Sequence, residues 1–175
     1  MTAPNHIIGG YAFTGLFGSF IGVNILSDWK YLIVILLGTL LPDVDHTRSI
    51  IGRLMKPISI PISRHYGHRT ITHSILFLIS SSLVVKGIQV LFFPSVPLFA
   101  LFFLSMSSHL IFDMMTIQGV PLFYPFKKNP CVIPANPAYR LKTNNLSQEA
   151  MVFTFFMISC IFLAPLMKKW ILDNL

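Results

Sequence analysis

The chain has 175 residues, of which 54% are hydrophobic and only 11% are charged. A soluble domain carries about 25% charged residues, so this chain has too few to wet its own surface and soluble globular classes are excluded. The formal charge is +7, but the basic residues fill the gaps between apolar runs and no RNA- or DNA-binding motif occurs. They point to anionic lipid headgroups as partner and exclude nucleic acid.

A helix that crosses a bilayer needs about 20 apolar residues. Residues 7–26 meet that requirement. The N-terminal stretch before them lacks the basic region and small-residue cleavage site of a signal peptide, so the first run is expected to be retained. Residues 31–41 form a shorter run that ends at Pro42, able to span a thin membrane or to re-enter it. Residues 71–93, closed by Pro94, and residues 95–117 qualify, as do residues 151–167. The pattern predicts an all-α fold: a polytopic membrane helical bundle of about five transmembrane helices, forming a single domain over residues 1–175.

Two polar gaps interrupt the runs. The gap at 42–70 holds Arg48, Arg53, Lys56, Arg64 and Arg69, interleaved with Ile50, Ile51, Leu54, Met55 and Ile58. That mixture predicts an amphipathic segment lying in the membrane interface. The gap at 118–150 holds Lys127, Lys128, Arg140 and Lys142, and its prolines at 121, 125, 130, 134 and 137 predict an extended, irregular chain. Five passes put both gaps on one side, which the positive-inside rule makes cytoplasmic: nine basic residues lie there against four elsewhere (Lys30, Lys86, Lys168 and Lys169).

Ionisable residues at membrane depth are costly and usually functional. Helix one carries Gly10, Thr14, Gly18 and Gly22 at four-residue spacing, a stripe that lets another helix approach closely. His6 continues that stripe and should face protein. Pro42-Asp43-Val44-Asp45-His46 follows the second run. An extended chain after Pro42 would project Asp43 and Asp45 to the same side, where two carboxylates need a cation or proton between them. Gly67-His68-Arg69-Thr70-Ile71-Thr72-His73-Ser74 opens the third helix. It offers imidazoles for a metal and an arginine for a phosphate. Ser105, His109 and Asp113 stand at i, i+4 and i+8 on the fourth helix, so His109 and Asp113 can reach one ion from adjacent turns. In a five-pass topology all these groups, and Glu149 before the fifth helix, arrive at the same cytoplasmic level. The two cysteines, Cys131 and Cys160, form no CxxC pair, so any metal must use nitrogen and oxygen ligands.

These motifs in this order, together with Thr116, Gly119 and Pro125-Phe126, resemble the YdjM-like family of LexA-regulated, inner-membrane, metal-dependent hydrolases. A more distant similarity is to zinc-dependent phospholipase C enzymes, which also use His-xxx-Asp on a helix. The resemblance implies a bacterial inner-membrane, multi-pass protein with its active site facing the cytoplasm. It implies a divalent ion, zinc in the first instance and manganese or another as alternatives. Asp45, His73, His109 and Asp113 would form the primary metal site. His6, also a metal-ligand candidate, would serve a second metal or the outer shell, as would Asp43 and His68. The expected reaction is hydrolysis of a phosphoester in a lipid or lipid-phosphate substrate, with Asp43 or His68 taking the proton and Arg69 stabilising charge on phosphate.

Three other readings compete. A metal-ion carrier also uses His and Asp on several helices, but carriers place sites near the midplane and show repeats, and no repeat is visible here. A histidine-nucleophile lipid phosphatase requires an arginine before the His-xxx-Asp and a Pro-Ser-Gly-His, both missing. An intramembrane zinc protease requires His-Glu-xx-His, which is also missing.

Overall fold

The structure is a computed structural model that describes residues 2–142 and 146–173; the side chains of 146–149, 166–168, 170 and 171 fall outside the described set. The candidate residue Glu149 is one of them. Seven helices occur among the described residues: α1 (Ala3–Phe20), α2 (Trp29–Leu40), α3 (Ile50–Leu54), α4 (Lys56–Tyr66), α5 (Ile75–Phe92), α6 (Leu98–Met114) and α7 (Leu146–Asp173). Short 3-10 turns cover Leu41–Asp45, Ile71–His73 and Pro137–Tyr139. The all-α expectation holds. Among the described residues only α5 is both long and apolar enough to cross a membrane, with a mean hydropathy of 2.0 over 18 residues. Its exposed residues are largely apolar, with Leu83, Leu91 and Phe92 among them beside Ser80 and Lys86. α6 and the 150–165 part of α7 are apolar but shorter.

α1 is the hub. It packs on α7, α6 and α2, while α2 and α5 lean on α6 from either side. Small residues make these approaches possible. A Cβ at Gly9 would collide with the Phe112 ring of α6, and one at Gly10 with Thr39 of α2. Gly38 of α2 lies against Ser105 and the Phe102 carbonyl of α6. The predicted stripe is therefore real at Gly10 and Thr14, but Gly22 lies beyond α1 at φ +75, in a turn rather than on the helix.

Helix starts follow their caps. Asp28 accepts from the Lys30 N–H at α2, Ser49 from Gly52 at α3 and Ser74 from Phe77 at α5. The Ser74 cap starts α5 later than expected and leaves His73 in the preceding 3-10 turn. After Pro42 the chain is not extended, as expected, but coils into the 3-10 turn Leu41–Asp45. Proline's fixed φ suits the first turn of a helix, so it continues the coil at α2's end in a tighter form. The basic 42–70 gap forms the predicted amphipathic segment as α3 and α4: Ile51 is buried against Leu40 and Val44, while Leu54 is exposed. The proline-rich chain after α6 is irregular, as predicted. It doubles back so that Ile133 donates to the Met114 carbonyl and Leu141 to that of Met115, with Val120 paired to Cys131.

Candidate metal centre

All eight candidate residues named above converge. His6 comes from the first turns of α1, Asp43 and Asp45 from one 3-10 turn, His68 and Arg69 from the loop before the next, His73 from that turn, and His109 and Asp113 from α6. His6, Asp45, His73, His109 and Asp113 are all at most 1% exposed.

The donor atoms form overlapping sets, Asp43 with His73 and His109, His6 with His109 and Asp113, and Asp43 with Asp45 and His68. His73 Nε2 lies 3.9 Å from Asp43 Oδ1 and 3.5 Å from Asp113 Oδ2. His109 Nε2 lies 3.7 Å from Asp43 Oδ1 and 3.6 Å from Asp113 Oδ2. These separations are too long for good hydrogen bonds. They match two ligands of one ion, because donors about 2.1 Å from a tetrahedral metal stand about 3.4 Å apart. His6, His109 and Asp113 also offer ligand atoms within 4.8 Å of one another.

Hydrogen bonds around the donors decide which ring nitrogens carry protons. The Thr39 carbonyl can only accept, so at 2.7 Å it takes the Nδ1–H of His109 and leaves Nε2 with its lone pair in the neutral ring. Thr72 gives its hydroxyl proton to Asp45 Oδ2 at 2.7 Å, so its oxygen accepts from His73 Nδ1–H at 3.1 Å. Asp45 Oδ2 lies 3.3 Å from the same Nδ1. Both Nε2 atoms are buried without a hydrogen-bond partner. Imidazoles held by carbonyl or carboxylate on one nitrogen and bare on the other are the arrangement metal ligands show.

Asp45, expected to bind metal, stands with Asp43 and His68 in one candidate set, and its oxygens also accept hydrogen bonds: Oδ1 from His68 Nδ1 at 2.8 Å, Oδ2 from the Arg69 amide at 2.7 Å and from Thr72. Burial alone would push the Asp45 carboxyl up, but the His68 and His73 hydrogen bonds outweigh it and hold it well below the usual range. Asp43, expected to take a proton or to serve a second metal, turns its Oδ1 to His73 and His109.

Arg69 donates from Nη2 to Asp113 Oδ1 at 2.9 Å and from Nη1 to Gln118 at 3.0 Å. His6 Nε2 approaches the same Asp113 oxygen at 3.3 Å, and its ring stacks on His109 at 3.9 Å between centroids. Arg69 sits at φ 58, in the left-handed region, which turns its amide towards Asp45. Thr39 and Gln118 are supporting residues that the sequence did not single out, while Thr72 and Thr116 stood within the motifs without a role assigned to them.

The donor set suits a divalent cation. Asp43, Asp45 and Asp113 bring three negative charges and Arg69 one fixed positive charge. The remaining two charges, sunk among buried groups, require compensation. Protons supply part of it when no ion is present: burial pulls His73 down, but Asp113 and Asp45 outweigh it and raise the ring to about 9.

Fold and site together define an all-helical protein with a buried histidine–aspartate cluster whose spacing could hold a metal ion. The chain belongs to the family described as YdjM inner membrane protein, whose profile matches residues 1–172. It is similar to YvsG of Bacillus subtilis (strain 168), 32% identical over 161 residues that cover 91% of this chain and 92% of that one. It is also similar to the inner membrane protein YdjM of Escherichia coli (strain K12), 37% identical over 114 residues covering 62% of this chain and 58% of that protein. YdjM of Shigella flexneri matches to the same extent. No solved structure matches the chain.

Proposed function

We propose that this protein is a metal-dependent hydrolase of the inner membrane that cleaves a phosphoester in a lipid or lipid-like substrate at the cytoplasmic face. The observation that carries the reading is the quartet of Asp43 Oδ1, His73 Nε2, His109 Nε2 and Asp113 Oδ2 at 3.5–3.9 Å. A divalent ion held there, zinc being best suited to two nitrogens and two oxygens, would polarise a phosphoryl oxygen and acidify water.

The chain's own residues account for the rest. Asp45 orients His73 and, through Nδ1, His68, which leaves the more exposed His68 Nε2 to accept a proton. His6 and Arg69 pin Asp113 Oδ1, so Oδ2 stays turned to the quartet. Arg69 would meet developing charge on a phosphate from its place beside Asp113. Apolar α1, α2, α5, α6 and α7 would each pass through the bilayer, with the basic 42–70 and 118–142 segments cytoplasmic.

The test is metal analysis of the purified protein followed by challenge with phospholipids. Bound metal at about one ion per chain and phospholipid cleavage that Asp113→Ala abolishes are expected. Absence of metal, or unchanged cleavage in Asp113→Ala, overturns the reading. Metal flux in proteoliposomes without cleavage would assign the site to ion transport instead.

A further inference from the structure

α2 and α5 both pack on α6 but not closely on each other, and a slot of about 490 Å³ opens between them. Leu41 forms one wall, Phe77 and Ser81 the other, and Phe102 of α6 the floor. Ile51 and Met55 of α3 line the slot at its α3 side. Cavities that hold small molecules span roughly 300–1,000 Å³, so the slot is in range. Its lining is almost wholly hydrocarbon, which selects an apolar occupant.

Two observations connect the slot with the centre and name its occupant. Leu41 opens the 3-10 turn that carries Asp43, and the Phe77 amide is capped by Ser74, the neighbour of His73. The walls therefore run directly into segments that bear the donors. Arg53 and Lys56, both exposed, flank Met55 at the α3 side, and no aspartate or glutamate occurs from 46 to 112. A hydrocarbon slot with uncompensated cations at its α3 side suits a molecule with an apolar tail and an anionic head. A helix of another protein would need a long face to lie on, and α3 closes that course at one end.

We infer that the α2–α5 slot is the acyl-chain subsite for an anionic phospholipid whose phosphate lies towards the centre. The inference rests on the hydrolase reading for the fate of the lipid, though not for its binding.

The test is photolabelling in nanodiscs with a phosphatidylglycerol that carries a diazirine on its acyl tail, read by peptide mass spectrometry. Label is expected to concentrate on the slot residues Phe77, Ser81 and Val84. Ser81→Trp and Leu37→Trp fill the slot from opposite walls, and each is expected to cut that label about tenfold, the equivalent of roughly two buried methylene groups, with metal content unchanged. The two variants guard against a folding defect in either. Label spread evenly over the outward residues Leu83 and Leu91, or label indifferent to both variants, overturns the subsite. Slot labelling that survives in a protein without phospholipid cleavage upholds the subsite and removes the hydrolase reading.

Discussion

The Nδ1–H of His109 donates to the carbonyl of Thr39 at 2.7 Å across the α2–α6 contact. This one bond fixes the ring's tautomer and turns Nε2 towards Asp43 and Asp113. The metal geometry therefore depends on how closely α2 approaches α6, and Gly38 governs that distance. A Cβ there would lie 3.0 Å from the Phe102 carbonyl and closer still to Ser105 Oγ. Gly38→Ala is expected to destabilise the fold by about 1–3 kcal/mol, the usual cost of overpacking, and to weaken metal binding with it. Thermal unfolding in detergent and metal titration check both. Unchanged metal affinity alongside a lowered melting temperature would separate the helix contact from the centre.

The donors should rank by their distance from the shared point. His109→Ala and Asp113→Ala are expected to abolish tight metal binding. His6→Ala is expected to weaken it less, because His6 acts on Asp113 Oδ1 rather than within the quartet. Metal content after dialysis against a weak chelator gives the order, and an equal loss in His6→Ala would make His6 a ligand in its own right.

Asp45 presents a different signature. Removing it strips acceptors from the Arg69 amide, Thr72 and His68 at once. Asp45→Ala is expected to cost about 3–5 kcal/mol of stability, as loss of one partner from a buried charged network does. Asp45→Asn keeps the shape and is expected to lower metal affinity about 10–100-fold. Denaturant unfolding of the two variants, with metal titration of the second, checks the pair of outcomes.

The ion-free protein should lose stability as pH rises. His73 titrates at 6.5 when unfolded and at about 9 in the folded centre. A raised folded value means that its contribution is complete below pH 6.5 and lost as pH climbs through about 9. Metal affinity should strengthen over the same window, because the ion replaces that proton. Melting temperatures of ion-free and ion-loaded protein between these pH values check it. Parallel curves would show that the proton and the ion do not compete.

Much of the centre was legible in the sequence because local spacing carries it. His109 and Asp113, four residues apart on one helix, had to share a face, and His73 stood out as an ionisable group at the edge of an apolar run. The hydrogen-bond partners of Asp43 and Asp45 were not legible. They depend on Pro42 continuing the coil as a 3-10 turn rather than opening an extended chain, and on which oxygens meet the Arg69 amide. The Thr39 carbonyl left no trace, since a backbone acceptor has no residue signature. Helix bounds shifted at α5, where the cap at Ser74 outweighed the hydropathy of Ile71. The small residues of α1 were read correctly as a packing face, and Gly22 fell outside it because it serves a turn.

The donors lie far apart along the chain, from His6 near one end, through the turns at 43 and 73, to Asp113 on α6. None of these segments holds two members of the quartet except α6. A partly synthesised or half-packed chain therefore lacks the assembled cluster, and an ion could be captured only once the 41–45 and 71–73 turns have packed against α6. Occupancy would then double as a checkpoint: an ion held in the cluster would mark a chain that has finished folding.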